Sequence, residues 1–192
     1  MKGIYCLEGI WGEDLREKSS VRPILELLHC NRYIDHIYHA CATREEIEFF
    51  INKWTQRKYK KYPILYLAFH GEKNMILLGD KKTYSLDDLA NLLNGKCSNS
   101  IIIFGSCSTF AIRKNYLKKF LDTTGALAIG GYQKDVDWLP SVAFEMLILS
   151  QMQENEYSKR GISSLENKVN TLARKFKDEL QFRMVTAKEL TA

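Results

Sequence analysis

Two short apolar segments of this 192-residue chain end in side chains able to do covalent chemistry. Residues 64–69 run into His70-Gly71, and residues 101–104 run into Gly105-Ser106-Cys107-Ser108-Thr109. A thiol with an imidazole beside it can perform nucleophilic catalysis, the sulfur attacking and the ring moving the proton. A thiol in the first turn of a helix also feels the positive end of the helix dipole, which lowers its pKa and supplies thiolate at neutral pH. The pattern puts Cys107 at such a helix start, with Ser108 or Thr109 as N-cap. Glycines at 71 and 105 allow close approach of a substrate to the backbone, and free amides near Cys107 would stabilise an oxyanion.

Residue order narrows the chemistry. All four histidines, His29, His36, His39 and His70, precede Cys107, which argues against cysteine enzymes that take their histidine from downstream of the nucleophile. Thr109 stands where a G-x-nucleophile-x-G elbow needs its second glycine, which argues against an α/β-hydrolase. The competing reading of Cys107 is a structural thiol at a strand end, since cysteine is among the most buried residue types. The five cysteines (6, 30, 41, 97 and 107) form no CxxC pair and no zinc-like spacing, so neither a disulfide framework nor a structural metal is expected. Asp137, ahead of Trp138-Leu139-Pro140, reads equally well as an ordinary helix N-cap. Trp11 and Trp138 fall just past strand ends and read first as packing residues.

The chemistry requires elements that bring 70 and 107 to one edge. Apolar, β-branched or aromatic runs at 3–7, 33–39, 64–69, 101–104 and 126–129 have the length of buried parallel strands. Helical periodicity fills the intervals: residues 21–28, then Ile47, Phe50, Ile51 and Trp54, then 86–93, 111–121 and 139–149. A last helix carries Leu165, Val169, Leu172, Phe176 and Leu180 on one face. Thr43-x-x-Glu46 and Ser85-x-x-Asp88 read as capping-box starts. Residues 75–78 and 82–84, on either side of Gly79-Asp80-Lys81, read as a small hairpin after the third strand. Alternation of this kind implies one α/β domain over residues 1–192, a mostly parallel sheet with helices on both faces, whose ligands bind at the carboxyl ends of the strands.

With these residues in place, the segment 67–109 resembles the catalytic half of caspase-like (clan CD) cysteine peptidases: a strand ending in His-Gly, a small hairpin, a short helix, and a strand ending in the nucleophilic cysteine. The resemblance extends over the core from residue 3 to about 149. The sequence Gly105-Ser106-Cys107-Ser108 is closer to the bacterial CHAT and separase-like group than to the Q-A-C-x-G of true caspases. The resemblance implies a flavodoxin-like three-layer sandwich and a cysteine endopeptidase. In it Cys107 attacks a peptide carbonyl, His70 protonates the departing amine, and the amides of Gly71 and Cys107 form the oxyanion hole. Glu8, Asp135 and Asp137 would border the substrate pocket, and Glu8 stands where caspases use an arginine to hold aspartate. An inactive caspase-like interaction module and a flavodoxin-like binding or signalling domain are the alternatives, although neither GxGxxG nor a P-loop is present.

Composition agrees with this frame. A chain 45% hydrophobic and 27% charged, with 3 Pro and 11 Gly, is globular. No apolar run has transmembrane length and the N-terminus lacks a secretory pattern, so a cytoplasmic location and no membrane partner are expected. The net charge of +5 is spread over stretches such as 53–61 and 168–177, read as solvated helix faces and not as a nucleic-acid surface. A protein or peptide substrate and a regulatory protein partner are expected, with no cofactor.

Overall fold

A computed structural model describes residues 1–12, 14, 16–79 and 82–191. Six strands form one sheet in the order β2-β1-β3-β7-β8-β9. β1 (Gly3–Glu8), β2 (Asp35–Ala40), β3 (Ile64–Ala68), β7 (Ile101–Gly105) and β8 (Ala128–Tyr132) run parallel, and β9 (Phe182–Thr186) closes the edge antiparallel to β8. Period-two alternation divides the strand side chains between two cores. Leu65, Leu67, Ile102 and Phe104 face a layer carrying α2 (Arg44–Trp54), α3 (Leu86–Leu92) and α4 (Lys114–Thr124). Tyr66, Ala68, Ile101 and Ile103 face α1 (Arg22–Cys30), α5 (Trp138–Gln151) and α6 (Lys159–Arg174) on the other side. The result is the expected three-layer sandwich, with the central strands buried on both faces. Among the described residues no helix is long and apolar enough to cross a membrane.

Local signals explain most element boundaries. Thr43 and Glu46 form a reciprocal capping box at the start of α2, the Ser85 hydroxyl accepts from the Asp88 amide at the start of α3, and Gly125, in the left-handed conformation, ends α4. The hairpin is a three-stranded antiparallel sheet, because β4 (His70–Glu72) joins β5 (Met75–Leu77) and β6 (Thr83–Ser85). Of its expected turn, Asp80 and Lys81 lie outside the described residues.

Three sequence expectations change. α4 begins at Lys114 instead of 111, so a turn-rich connection, not a helix, follows Cys107. The last amphipathic face is split: α6 ends at Arg174, a single turn α7 (Lys177–Leu180) follows, and Gln181 turns the chain with φ of 44°. Phe176 and Leu180 still pack into the core of that face. The chain then returns as β9, unanticipated, before the short α8 (Ala187–Thr191).

Candidate active site

Register sets the site. Ala68 of β3 is paired with Gly105 of β7 and with Glu8 of β1. His70 and Cys107 therefore each stand two residues beyond the same rung of two adjacent parallel strands, which lie about 4.8 Å apart. Both emerge at the carboxyl edge of the sheet, where α/β folds bind ligands.

His70 opens β4, and its Nε2 lies 2.7 Å from the carbonyl oxygen of Trp11. A carbonyl only accepts, so Nε2 carries the proton and donates it. Nδ1 is left as the basic nitrogen. The Trp11 ring meets His70 edge-on at 5.1 Å and Trp138 at 4.5 Å, while Trp11 Nε1 donates to Glu8 at 2.6 Å. Glu8 is 2% exposed and accepts also from Ser20 Oγ, the Val21 amide and the Tyr38 hydroxyl. A carboxylate offers about four acceptor positions, and here four donors fill them. Glu8 is thus committed to the Trp11 loop that orients His70, and it lines a neighbouring depression with Trp11 and Tyr38.

Cys107 is half-buried in the connection after β7. The Ser106 and Thr109 hydroxyls are 2.7 Å apart, and Thr109 Oγ1 lies 3.2 Å from the Cys107 carbonyl oxygen. Ser108 adopts φ of 51°, a left-handed conformation that costs a non-glycine residue energy and is retained only where surroundings fix it. The fixing is visible: the Ser108 amide donates to the Lys134 carbonyl at 3.0 Å, its hydroxyl donates to Asp135 at 2.7 Å, and the Phe110 amide donates to the Tyr132 carbonyl at 2.9 Å. The expected helix N-terminus is absent here, and so is its effect on the thiol. Burial pushes the Cys107 pKa up, and the carboxylates of Asp135 and Glu145 add to the rise.

Gly71 and Gly105 serve the packing of this edge. A Cβ on Gly71 would meet Thr109, would stand 2.6 Å from the Cys107 carbonyl oxygen and 2.8 Å from Ser106 Cβ; one on Gly105 would stand 2.8 Å from the Tyr66 ring and 3.0 Å from Glu145 Oε1. Glycine at 71 lets β4 lie directly against the cysteine loop. Asp135 and Asp137 are exposed on either side of Val136, and Asp137 occupies the N-cap position of α5 without a side-chain capping bond.

His70 and Cys107 line one cleft of about 150 Å³, together with Trp11, Trp138, Val136 and Tyr132. Neither Asp135, Asp137 nor Glu8 lines it. Glu145 does, and sequence reasoning missed it. Its signal was available: Glu145 is the one charged residue of α5, a helix otherwise apolar along its central turns. It is 3% exposed, accepts from the Tyr66 and Tyr132 hydroxyls, and burial pushes its pKa up to about 7. Among the described residues no group of three or more His, Cys, Asp or Glu is placed to hold a metal ion.

Comparison with solved structures places this architecture. The Drosophila initiator caspase Dronc superposes with a TM-score of 0.61 over 96% of this chain and 79% of that one, at 9% identity. Caspase-1 from Spodoptera frugiperda gives 0.57 over 97% and 86%, at 14% identity. At such identities the likeness is one of fold. No curated protein matches the sequence. A family model described as "Family of unknown function (DUF6642)" matches residues 1–185, and the chain, a caspase-like α/β sandwich, belongs to that family.

Proposed function

We propose that the protein is a cysteine endopeptidase in which Cys107 is the nucleophile and His70 the acid–base group. The observation that carries this reading is the single cleft lined by both side chains, at the carboxyl ends of two strands in matched register. With Nε2 committed to the Trp11 carbonyl, Nδ1 takes the thiol proton as sulfur attacks a peptide carbonyl carbon. The carbonyl π electrons move to oxygen, and the amides of Gly71 and Cys107 receive that oxyanion. Its collapse breaks the C–N bond; His70 gives its proton to the leaving amine; water, deprotonated by His70, then hydrolyses the thioester and restores the thiol. Because burial raises the Cys107 pKa, the thiol rests neutral, and thiolate forms as His70 removes the proton.

Asp135 and Asp137, exposed beside Val136, place negative charge next to the cleft and disfavour an acidic residue before the scissile bond. The Gly105-Ser106-Cys107-Ser108 sequence supports placement near the CHAT and separase-like peptidases. Five free cysteines suit a reducing, cytoplasmic setting, and a regulatory protein partner completes the proposal. The second reading is a catalytically inactive caspase-like interaction module, favoured by the raised thiol pKa. A peptidyl acyloxymethyl ketone separates them: the peptidase reading expects covalent labelling of Cys107 ahead of the other four cysteines, abolished in His70→Ala. Equal labelling of all exposed thiols, unaffected by His70→Ala, supports the inactive module.

A further inference from the structure

The amino-terminal rim of the sheet, opposite the candidate active site, gathers positive charge that reads from the sequence as a solvated helix face. α2 ends at Trp54, and a single 3₁₀ turn at Arg57–Tyr59 follows it. The Trp54 indole N–H donates to the Tyr62 carbonyl at 2.7 Å and ties the segment down just ahead of β3. From residue 53 to 63 the chain carries Lys53, Arg57, Lys58, Lys60 and Lys61 and no acid. Ile64 of β3 and Ile101 of β7 are paired in register, so the turn ahead of β7 meets this segment and brings Lys96, Ser98, Asn99 and Ser100 to it.

Between the two segments lies an open depression of about 200 Å³. Trp54, Tyr59 and Tyr62 line it with Lys60 and Lys96, and among the described residues no carboxylate does. The side chains of Gln56, Lys60, Ser98, Asn99 and Ser100 make no hydrogen bond or ion pair with another described residue, and Arg57, Lys58 and Lys61 form no ion pair among them. On other faces Lys118, Lys119 and Lys168 each pair with a carboxylate. Unspent donors, unpaired cations and aromatic rings therefore converge at one place.

We propose that this depression binds a nucleotide, its phosphate held by Lys60 and Lys96 and its base stacked on Tyr59, supplied as a free mononucleotide or within a single-stranded nucleic acid. Phosphate oxygens only accept, and the depression offers ammonium, hydroxyl and amide donors. An aromatic ring stacks with any base, and Arg57, Lys58 and Lys61 flank the depression where neighbouring phosphates of a strand would run. Lys58 rests over the Tyr59 ring at 5.0 Å. An exposed cation–π contact is weaker than base stacking, so a base takes that face and leaves the ammonium to a phosphate. The five-residue strand β3 separates this rim from His70 by about 17 Å; the proposal does not depend on the peptidase reading.

The test uses the full-length protein and fluorescein-labelled decauridylate, followed by anisotropy between about 50 and about 200 mM salt. Wild type is expected to bind with a Kd below about 100 μM at about 50 mM salt; no binding overturns the proposal before any variant is made. Lys60→Gln/Lys96→Gln is expected to weaken binding about tenfold or more, and to make the slope of log K against log salt shallower by about 1.4, two phosphate contacts at about 0.7 each. Tyr59→Ala is expected to weaken binding about tenfold with the slope unchanged; an unchanged affinity overturns the stacked base. Lys175→Gln/Lys177→Gln removes the same charge at the junction of α6 and α7 and is expected to change neither quantity. Equal losses in the two double variants overturn the site, since net charge alone then explains binding. Uridine monophosphate distinguishes the sources: if it displaces decauridylate the free nucleotide suffices, and if it does not the strand is the ligand, and either result sustains the site. Displacement by inorganic polyphosphate or polyglutamate as effective, charge for charge, as unlabelled decauridylate overturns the nucleotide assignment.

Discussion

At the scale of single residues, the side chains around Cys107 work against its ionisation. Burial is the first cause of its raised pKa, and Asp135 and Glu145 are the charges that add to it. Glu145→Gln removes one of those charges, so alkylation of Cys107 by iodoacetamide at neutral pH is expected to be faster in that variant; a slower rate contradicts the coupling. His70→Ala is expected to lower kcat on peptide amides by roughly 10² to 10⁴, the range for a lost general acid–base group, with the far-ultraviolet circular dichroism unchanged. Glu145 also links stability to pH. Its folded pKa of about 7 exceeds the reference value of 4.5, so the native state holds its proton more firmly than the unfolded chain does. That contribution is fully present below the unfolded pKa and is lost as pH rises through about 7, a change on the order of 3 kcal/mol for a fully buried carboxyl. Urea denaturation at about pH 5 and about pH 8 should show wild type losing stability across the interval and Glu145→Gln losing less; parallel losses contradict the assignment.

At the scale of elements, the connection from β7 to α4 and the strand β4 depend on each other. Gly71→Ala would drive a methyl group against Thr109 and the Cys107 carbonyl. The Cys107 oxygen is backbone and Thr109 is fully buried, so the variant is expected to lose activity and about 1–3 kcal/mol of stability, as overpacked cores do, read by denaturant midpoint and kcat/KM together. This pair of elements also shows what sequence reading could reach. Strand ends at His70 and Cys107 were legible because buried parallel strands are continuous apolar runs with abrupt polar ends. The start of α4 was not, because Ser108 and Thr109 have the chemistry of N-caps. In the fold their hydroxyls are engaged by Asp135 and Ser106, and Ser108 sits in a left-handed conformation from which no helix starts. β9 escaped for a different reason. Its five residues follow directly on an amphipathic helical pattern, and only contact with β8 makes a strand of Phe182–Thr186.

At the scale of the molecule, one sheet with a hydrophobic layer on each face carries the candidate site on its carboxyl rim, where Phe69 and Phe110 still belong to the core. The layers were legible from periodicity, and His70 and Cys107 were legible as residues just past strand ends. Glu145 was not, because whether a lone charge in an apolar helix faces solvent or the interior is decided by how α5 docks against Tyr66 and Tyr132. Nor was the saturation of Glu8, whose four donors come from residues 11, 20, 21 and 38. The central claim, that Cys107 is the nucleophile of a peptidase, is tested most directly by digesting a proteome-derived peptide library with wild type and with Cys107→Ala and sequencing the new termini by mass spectrometry. The expected result is a defined set of cleavages with wild type, none of them with Cys107→Ala, and thermal midpoints of the two proteins nearly equal. Cleavage of the same set by Cys107→Ala at the wild-type rate would contradict it.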